Sequence, residues 1–442
     1  MEQNSKKIKK SLFFSLWDGI FASIMFGFTT DYIIPYALAL GAKVFNIGIL
    51  NSLPNLFSSL VQLRSADLIE KVKSRKKIII IFVFLHLSIL IPIILVPIFF
   101  KPPMFFLIIF VTLFNAFNAF SVPSWSSLIS EYVPIKTRGR YFSWRSRILG
   151  SVVIVSTFSA GFILYLFHKE PIKGFSVIFS IALISRFISW LFLTKLYEPP
   201  FRVREEDKFT FLEFIKRIKN SNFAKFTLFV SLLNFSVNLA APYFSVFMLK
   251  DLNFNYLTYT ILITIVPLTQ ILVIRRWGHI ADRVGNLKIL KFSSLIISTL
   301  PFWWIVYRNP IYLGLIQVIS GFAWAGFNLC ATNFIYDAVS ESKRVRCIAY
   351  FNFMTGLALC LGSIIGGFLI NYLPYLFGYK ILTLFLISSI FRFMTVKIFI
   401  NKIKEVRKVE DINNLELFYT VVSIRPFFGI SRQSNFFKEE IG

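Results

Sequence analysis

The chain has 442 residues, 56% of them hydrophobic and 18% aromatic, which is more apolar surface than an ordinary soluble domain can present to water. A formal net charge of +26 would suit a nucleic-acid binder if it sat on one basic domain. The lysines and arginines fall instead between apolar runs that recur from end to end, which excludes nucleic acid as a partner and makes lipid the solvent of most of the chain.

Lys6, Lys7, Lys9 and Lys10 precede a first apolar run that is too long for a signal-peptide core and is followed by no small-residue cleavage site, so it reads as a first span. A span needs roughly 20 apolar residues to cross about 30 Å of hydrocarbon. Segments of that kind are predicted at 11–38, 44–63, 77–99, 103–131, 141–167 and 174–197, and again at 223–249, 255–276, 289–307, 310–338, 347–371 and 376–400. The fold class expected is therefore all-α integral membrane, with twelve transmembrane helices in two six-helix parallel repeats. The odd-numbered connections hold only Lys43, Lys101, Lys169, Lys173, Lys250, Arg308 and Lys380, while most of the 48 basic residues lie on the other side. By the positive-inside rule both termini are expected in the cytoplasm, in a plasma membrane or a bacterial or archaeal inner membrane.

The expected organisation is an N-terminal six-helix bundle at 1–197, a linker at 198–222, a C-terminal six-helix bundle at 223–400 and a cytoplasmic tail at 401–442. In the linker Pro199 and Pro200 break the helix, and FTFLEFIKRIK has an apolar face suited to lying along the inner leaflet. The tail alternates apolar residues around Pro426 and is too polar to span.

The two halves read as copies. A shift of 206 pairs Glu131 with Asp337, Arg140 with Arg346, Gly150 with Gly356, Gly161 with Gly367 and Arg186 with Arg392, with no gap across spans four to six. Parallel six-span repeats place a substrate site near mid-membrane between the halves. GHIADRVGNLK after span eight fits the pattern G-x-x-x-D-R-x-G at Gly278, Asp282, Arg283 and Gly285, and VPIKTRGRYFSWR after span four presents Arg138, Gly139 and Arg140. In these residues and in its six-plus-six topology the sequence resembles the major facilitator superfamily over nearly its whole length. The copy of the loop after span two departs from the pattern, with Leu63, Leu68 and Glu70 in place of glycine, arginine and glycine, and only Asp67 retained.

The resemblance implies an inner gate holding the halves together on the cytoplasmic side, made from Asp67, Glu131, Arg138, Gly139, Arg140, Gly278, Asp282, Arg283, Gly285, Asp337 and Arg346. It also implies that spans one, four, seven and ten line the cavity. Their polar and aromatic residues are then the substrate candidates: Asn115, Asn118, Trp125, Asn234, Asn238, Tyr243, Trp324, Asn328 and Asn333. Polar side chains in spans serve equally as interhelical glue.

Arg186 and Arg392 lie well inside spans, where an unpaired charge costs at least ~2.5 to 3.5 kcal/mol. The expected partners are the acids of the same half, Glu131 for Arg186 and Asp337 for Arg392. Asp18 is the carboxylate deepest in the first half's spans and the candidate for coupling to H+ or Na+; its counterpart at a shift of 216 is Asn234, which cannot titrate. Arg145 and Arg147 open span five, where an anion site competes with the expectation that both snorkel to lipid phosphates. The glycines of spans five and eleven are expected to let helices approach closely. His86, His168 and His279 show no ligand spacing and read as isolated polar residues, and Cys330, Cys347 and Cys360 as packing residues.

No nucleotide-binding loop is present, and no clustered acids or histidine–acid pair mark a membrane-embedded transferase. The function expected is secondary active transport of a small solute by a monomer, with no cofactor and no enzymatic step, and with membrane lipids as its surroundings. A lipid or lysolipid flippase on the same fold, a transferase and a receptor without turnover are the alternatives.

Overall fold

A computed structural model describes residues 2–199, 211–216, 221–339 and 341–407. The first half comprises α1 (Glu2–Thr29) and α2 (Ile33–Ala39), which form one broken span, then α3 (Val44–Val72), α4 (Arg75–Phe99), α5 (Pro103–Tyr132), α6 (Ile135–Leu166) and α7 (Pro171–Thr194). A short helix α8 (Phe211–Lys216) follows. The second half comprises α9 (Asn222–Asn238) and α10 (Ala241–Val246), again one broken span, then α11 (Tyr256–Val284), α12 (Asn286–Val306), α13 (Pro310–Ala338), α14 (Glu341–Leu369) and α15 (Lys380–Phe399). Twelve segments among the described residues are long and apolar enough to cross a membrane, and they fall within a few residues of the spans expected, except that α11 runs on to Val284, past the expected end at 276, and so carries Gly278, Asp282 and Arg283 in its last turns.

Local chemistry sets the ends. Ser74, Ser221, Asn255 and Asn309 each accept a backbone N–H in the first turn of α4, α9, α11 and α13, while Pro103, Pro171 and Pro310 occupy first-turn positions whose N–H has no helical partner. Prolines inside helices do a second job, because each leaves the carbonyl four residues earlier without its donor. Pro97 frees the Ile93 carbonyl, which accepts from the Tyr36 hydroxyl at 3.0 Å. Pro301 frees the Ile297 carbonyl, which accepts from Arg392 at 3.0 Å.

The packing repeats as the sequence does. In the first half α1 packs on α6 and α7, α3 on α5, and α4 on α5 and α7; in the second α9 packs on α14 and α15, α11 on α13, and α12 on α13 and α15. The halves meet along two related lines, α3 against α14 and α6 against α11, with α2 touching α10 at the end where the first span of each half breaks. Glycines make these approaches possible. A side chain on Gly161 would run into Thr260, one on Gly150 would meet Ile271, one on Gly356 would meet Ser59, and one on Gly367 would meet the Tyr243 hydroxyl beside Gly48. Thus the paired glycines of α6 and α14 each serve one of the two contact lines. Large apolar side chains such as Ile98, Leu272 and Ile311 are exposed on the outward faces, as lipid contact requires.

Within the linker α8 docks on protein as well as offering Ile215 outward. Phe214 is buried against Phe223 and Tyr350, and Phe211 packs on Tyr350 and Phe353. Residues 200–210 and 217–220 of the linker, and the tail beyond 407, lie outside the described residues.

Candidate functional site

A charged network is buried in the first half. Asp18 on α1 is only 4% exposed and its Oδ1 accepts from the Ser189 hydroxyl of α7 at 2.7 Å. Ser189 in turn accepts from Arg186 Nη1 at 3.0 Å, one helical turn earlier on the same face. Arg186 Nε donates to His86 Nδ1 of α4 at 3.2 Å, which fixes that imidazole as neutral with its proton on Nε2. The His86 ring stacks on Phe114 with centroids 3.9 Å apart. Arg186 therefore turns toward Asp18 and His86 and not toward Glu131 as expected, because α7 packs against α1 and α4 and presents Ser189 as a relay. His86 is no isolated polar residue but the fourth member of the network.

Arg145 of α6 reaches the same place. Its Nη2 donates to the Ser15 carbonyl at 3.0 Å, the guanidinium lies 4.4 Å from the Trp125 ring centroid, and Gly19 leaves the room it fills. Asp18 attracts both Arg186 and Arg145. Arg145 is buried, so it does not snorkel; Arg147, two residues on, is exposed.

The second half handles the equivalent arginine without an acid. Arg392 Nε donates to Ser388 Oγ at 3.1 Å, Nη1 to the Ile297 carbonyl at 3.0 Å and Nη2 to the Val237 carbonyl at 3.3 Å. Val237 lies where α9 breaks before Pro242, so here too irregular backbone supplies the acceptor. Asn234, the counterpart of Asp18, donates to its own helix at the Val230 carbonyl. Asp337, the partner expected for Arg392, is elsewhere.

At the end that bears the basic connections each half carries its own cluster. Arg75 at the start of α4 pairs with Glu131 at the end of α5, 2.6 Å apart, and Glu198 after α7 accepts from the Ser74 hydroxyl and the Arg75 and Lys76 amides at 2.6, 2.6 and 3.2 Å. A carboxylate over the first amides of α4 also suits the helix dipole. In the second half Asn286 Nδ2 donates to Asp337 Oδ2 at 2.7 Å, and Glu405 accepts from the Leu287 amide of α12 at 2.7 Å. Arg407 adds the missing guanidinium, pairing with Asp337 at 2.7 Å and more loosely with Asp282 at 3.5 Å. Its hydrogen bond to Asp337, with the nearby carboxylates, holds Arg407 protonated beyond its ordinary range. Glu198 and Glu405 occupy corresponding places, a relation within one residue of the repeat shift. The basic partners Arg75 and Arg407 do not correspond, which is why the repeat alone did not disclose them.

The described bonds of Glu131, Asp282 and Asp337 thus run within a half and not across the seam. Gly285 has φ +87° between α11 and α12, a left-handed turn that glycine alone enters freely, and Gly278 has open space around it. Arg283 is exposed and engaged in a contact, and Arg346 is half-buried with its Nε unsatisfied. Asp67, Arg138, Gly139 and Arg140 fall on described helices, with side chains outside the described residues.

Of the cavity candidates, Asn115, Asn118, Trp125, Asn234, Trp324 and Asn333 are half-buried and Asn328 is exposed. Asn238 and Tyr243 sit in the seam instead. Asn51 of α3 donates to Asn238 Oδ1 at 3.3 Å and to Ser363 Oγ at 2.8 Å, and the Tyr243 hydroxyl donates to the Ser363 carbonyl at 2.6 Å. Further out, the Tyr259 hydroxyl donates to the Asp31 carbonyl at 2.9 Å, and Tyr32 and Thr260 share a hydrogen bond of the same length. Toward the end that bears the basic connections, Asn352 donates to Gln62 at 3.0 Å. A pocket of about 410 Å³ opens beside α2 between Pro35, Ala39, Leu249 and Tyr256.

A model described as the MFS_1 like family matches residues 20–381. No curated protein matches the sequence. Among solved structures, a mutant of the nucleoside transporter NupG superposes with a TM-score of 0.70 at 17% identity, over 88% of this chain and 100% of that one. A POT family transporter in complex with 5-aminolevulinic acid gives 0.68 at 12% identity, over 90% and 97%. A bacterial homolog of the human lysosomal transporter Spinster, inward-facing and unoccupied, gives 0.64 at 12% identity, over 91% and 99%.

Proposed function

Because the chain belongs to the MFS_1 like family and is a membrane transporter of the major facilitator type, we propose that it is a secondary active carrier that moves a small solute by alternating access, coupled to H+ or Na+ through Asp18. The observation that carries this reading is a carboxylate buried where α1 packs on α6 and α7, bonded to Arg186 through Ser189 and attracted by Arg145 from another helix. A change in its charge alters the balance that holds α1 against α6 and α7, so binding of a cation is coupled to how those helices pack.

The outer seam supports the alternating-access part. Hydrogen bonds from Tyr32, Tyr259 and Asn51 tie the halves together toward the outside, while the acids of the inner face stay within their own half. On this reading Glu131, Asp282, Asp337 and their basic partners exchange contacts when the inner side closes. The charge asymmetry of the loops supports a cytoplasmic location for both termini.

The test is solute-induced change of internal pH or sodium in proteoliposomes, wild type against Asp18→Asn. Wild type is expected to accumulate solute against its gradient, and the variant to exchange solute without accumulating it. Accumulation that survives Asp18→Asn removes Asp18 from coupling, and no movement under either ion gradient overturns the carrier reading.

A further inference from the structure

Two arginines and one carboxylate leave the buried network of the first half with an excess positive charge, and that charge is concentrated on Arg145. Arg186 spends Nε on His86 and Nη1 on Ser189, which hands on to Asp18. Arg392, the buried arginine of the second half, has all three nitrogens satisfied by neutral acceptors. Arg145 differs from both. It is 8% exposed, it makes one hydrogen bond to a carbonyl, and its Nε is buried with no partner.

Donors without good acceptors gather around it. The Trp125 indole nitrogen faces Asp18 and the Tyr141 hydroxyl lies beside Ser15 and Arg145, and neither closes a hydrogen bond of normal geometry. Ser15 Oγ is buried and unsatisfied as well. Buried donors are normally paired, and leaving one unmet costs on the order of 1–3 kcal/mol. A group of them around a desolvated guanidinium is the recognition chemistry of an oxyanion, which accepts from the Arg fork and from O–H and N–H together. Trp125 and Tyr141 are half-buried while their polar atoms, like Arg145 Nε and Ser15 Oγ, are shielded from solvent, so a ligand reaches them only as the packing around the cluster opens.

We infer that Arg145, with Trp125, Tyr141 and Ser15, forms a subsite for a carboxylate or phosphate group, so that the solute carried is anionic. The inference rests on the carrier reading for the word "carried" but not for the site itself. The arriving oxyanion supplies the second negative charge that Asp18 alone does not provide. It also competes with Asp18 for Arg145, so a cation taken up at Asp18 and an anion bound at Arg145 favour one another. The charged and titratable groups facing Asp18 are Arg186 on α7 and Arg145 on α6, with Trp125 on α5 beside them and His86 on α4 behind Arg186.

The experiment is a fluorescence titration of the purified full chain in neutral phosphatidylcholine discs, with Trp125→Phe subtracted, using benzoate and phenyl phosphate against benzamide and phenol. Either anion is expected to give a saturable change that its neutral analogue does not. Arg145→Gln is expected to raise the half-saturating concentration at least about tenfold, the loss of a charge-assisted hydrogen bond. Arg145→Lys should fall between, and the exposed Arg147→Gln should match wild type. If Arg145→Gln unfolds, Arg145→Lys carries the comparison. Anions and neutral analogues that behave alike, or anion binding unchanged in both Arg145 variants, overturn the inference. Counterflow of labelled benzoate in liposomes separates the two readings: binding without movement keeps the subsite and sinks the carrier, and movement of neutral solutes alone does the reverse. Short-chain phosphatidic acid added as competitor identifies the source of the group. Displacement of benzoate at lower concentration than free phosphate supports the subsite with a lipid headgroup as its ligand, and displacement by phosphate alone supports it with a soluble solute.

Discussion

Arg186 and Arg392 are the same residue of the repeat in two electrostatic settings, and the difference is open to measurement. Removing one member of a buried charge pair leaves the other uncompensated, at about 3–5 kcal/mol. Arg186→Met should therefore lower stability by about 3 kcal/mol, the lower end because Arg145 still attracts Asp18. Asp18→Asn added to it should recover most of that loss, as read by thermal unfolding in detergent. Arg392→Met abandons two carbonyls and a hydroxyl but no charge, so its cost should be about 1–3 kcal/mol, and no substitution at Asn234 should restore it. Recovery of Arg392→Met by a change at Asn234, or none for Arg186→Met by Asp18→Asn, would reverse the assignment. The arginines stood out in the sequence as charges within spans. Their partners did not, because Ser189 and His86 carry no signal of their own until α1, α4 and α7 are packed together.

At the scale of elements, α4 and α12 begin in the same way, each under a carboxylate delivered from the far end of its half. Glu198→Ala removes acceptors from Ser74 and from two amides, so α4 should fray at its start and stability should drop by about 1–2 kcal/mol. Hydrogen exchange at the Arg75 and Lys76 amides should rise while that in the middle of α4 stays unchanged. The pairing of Arg407 with Asp282 and Asp337 is half-exposed and responds differently. Its guanidinium is held protonated above an already alkaline range, so a raised cationic pKa keeps the contact intact on its basic side at every working pH. Salt is then the effective lever. In 1 M salt, where the screening length is about 3 Å, the segment at 403–407 should loosen, seen as faster exchange at the Leu287 and Arg407 amides. Exchange at those amides independent of salt would show that the segment is held by packing alone.

The whole molecule turns on two contact lines, α3 with α14 and α6 with α11, where glycines admit the neighbouring helix. Gly161→Leu places a branched side chain where Thr260 stands, and Gly367→Leu does so against Tyr243 and Phe45. Each should wedge the outer seam open. Spin labels on Lys43 and Asn253, exposed at the α2 and α10 end of the two halves, should move apart by several ångströms, and transport should fall at least about tenfold while the helical content is kept. An unchanged distance distribution would mean that the seam yields by local repacking and is not a hinge surface. The pairing of Gly150 with Gly356 and of Gly161 with Gly367 was legible from the repeat, but not which helix each glycine admits.

A constant residue shift showed that the halves are copies, and hydropathy and loop charge by themselves determined that twelve spans exist and nearly where most of them begin and end. The spans are legible because the bilayer imposes one length and one polarity on every span regardless of its neighbours. The spacing of charges likewise marked Asp18, Arg186 and Arg392 as costly and therefore meaningful. Only the tertiary structure decided how those costs are met. Asp18 reaches Arg186 through a serine, Arg145 turns inward over Trp125, a proline on α12 frees the carbonyl that holds Arg392, and the chain after α15 returns to cap α12. Each joins residues far apart in sequence through helix packing, and hydrogen-bond partners of that kind are fixed by direction and distance, which no one-dimensional pattern of polarity contains.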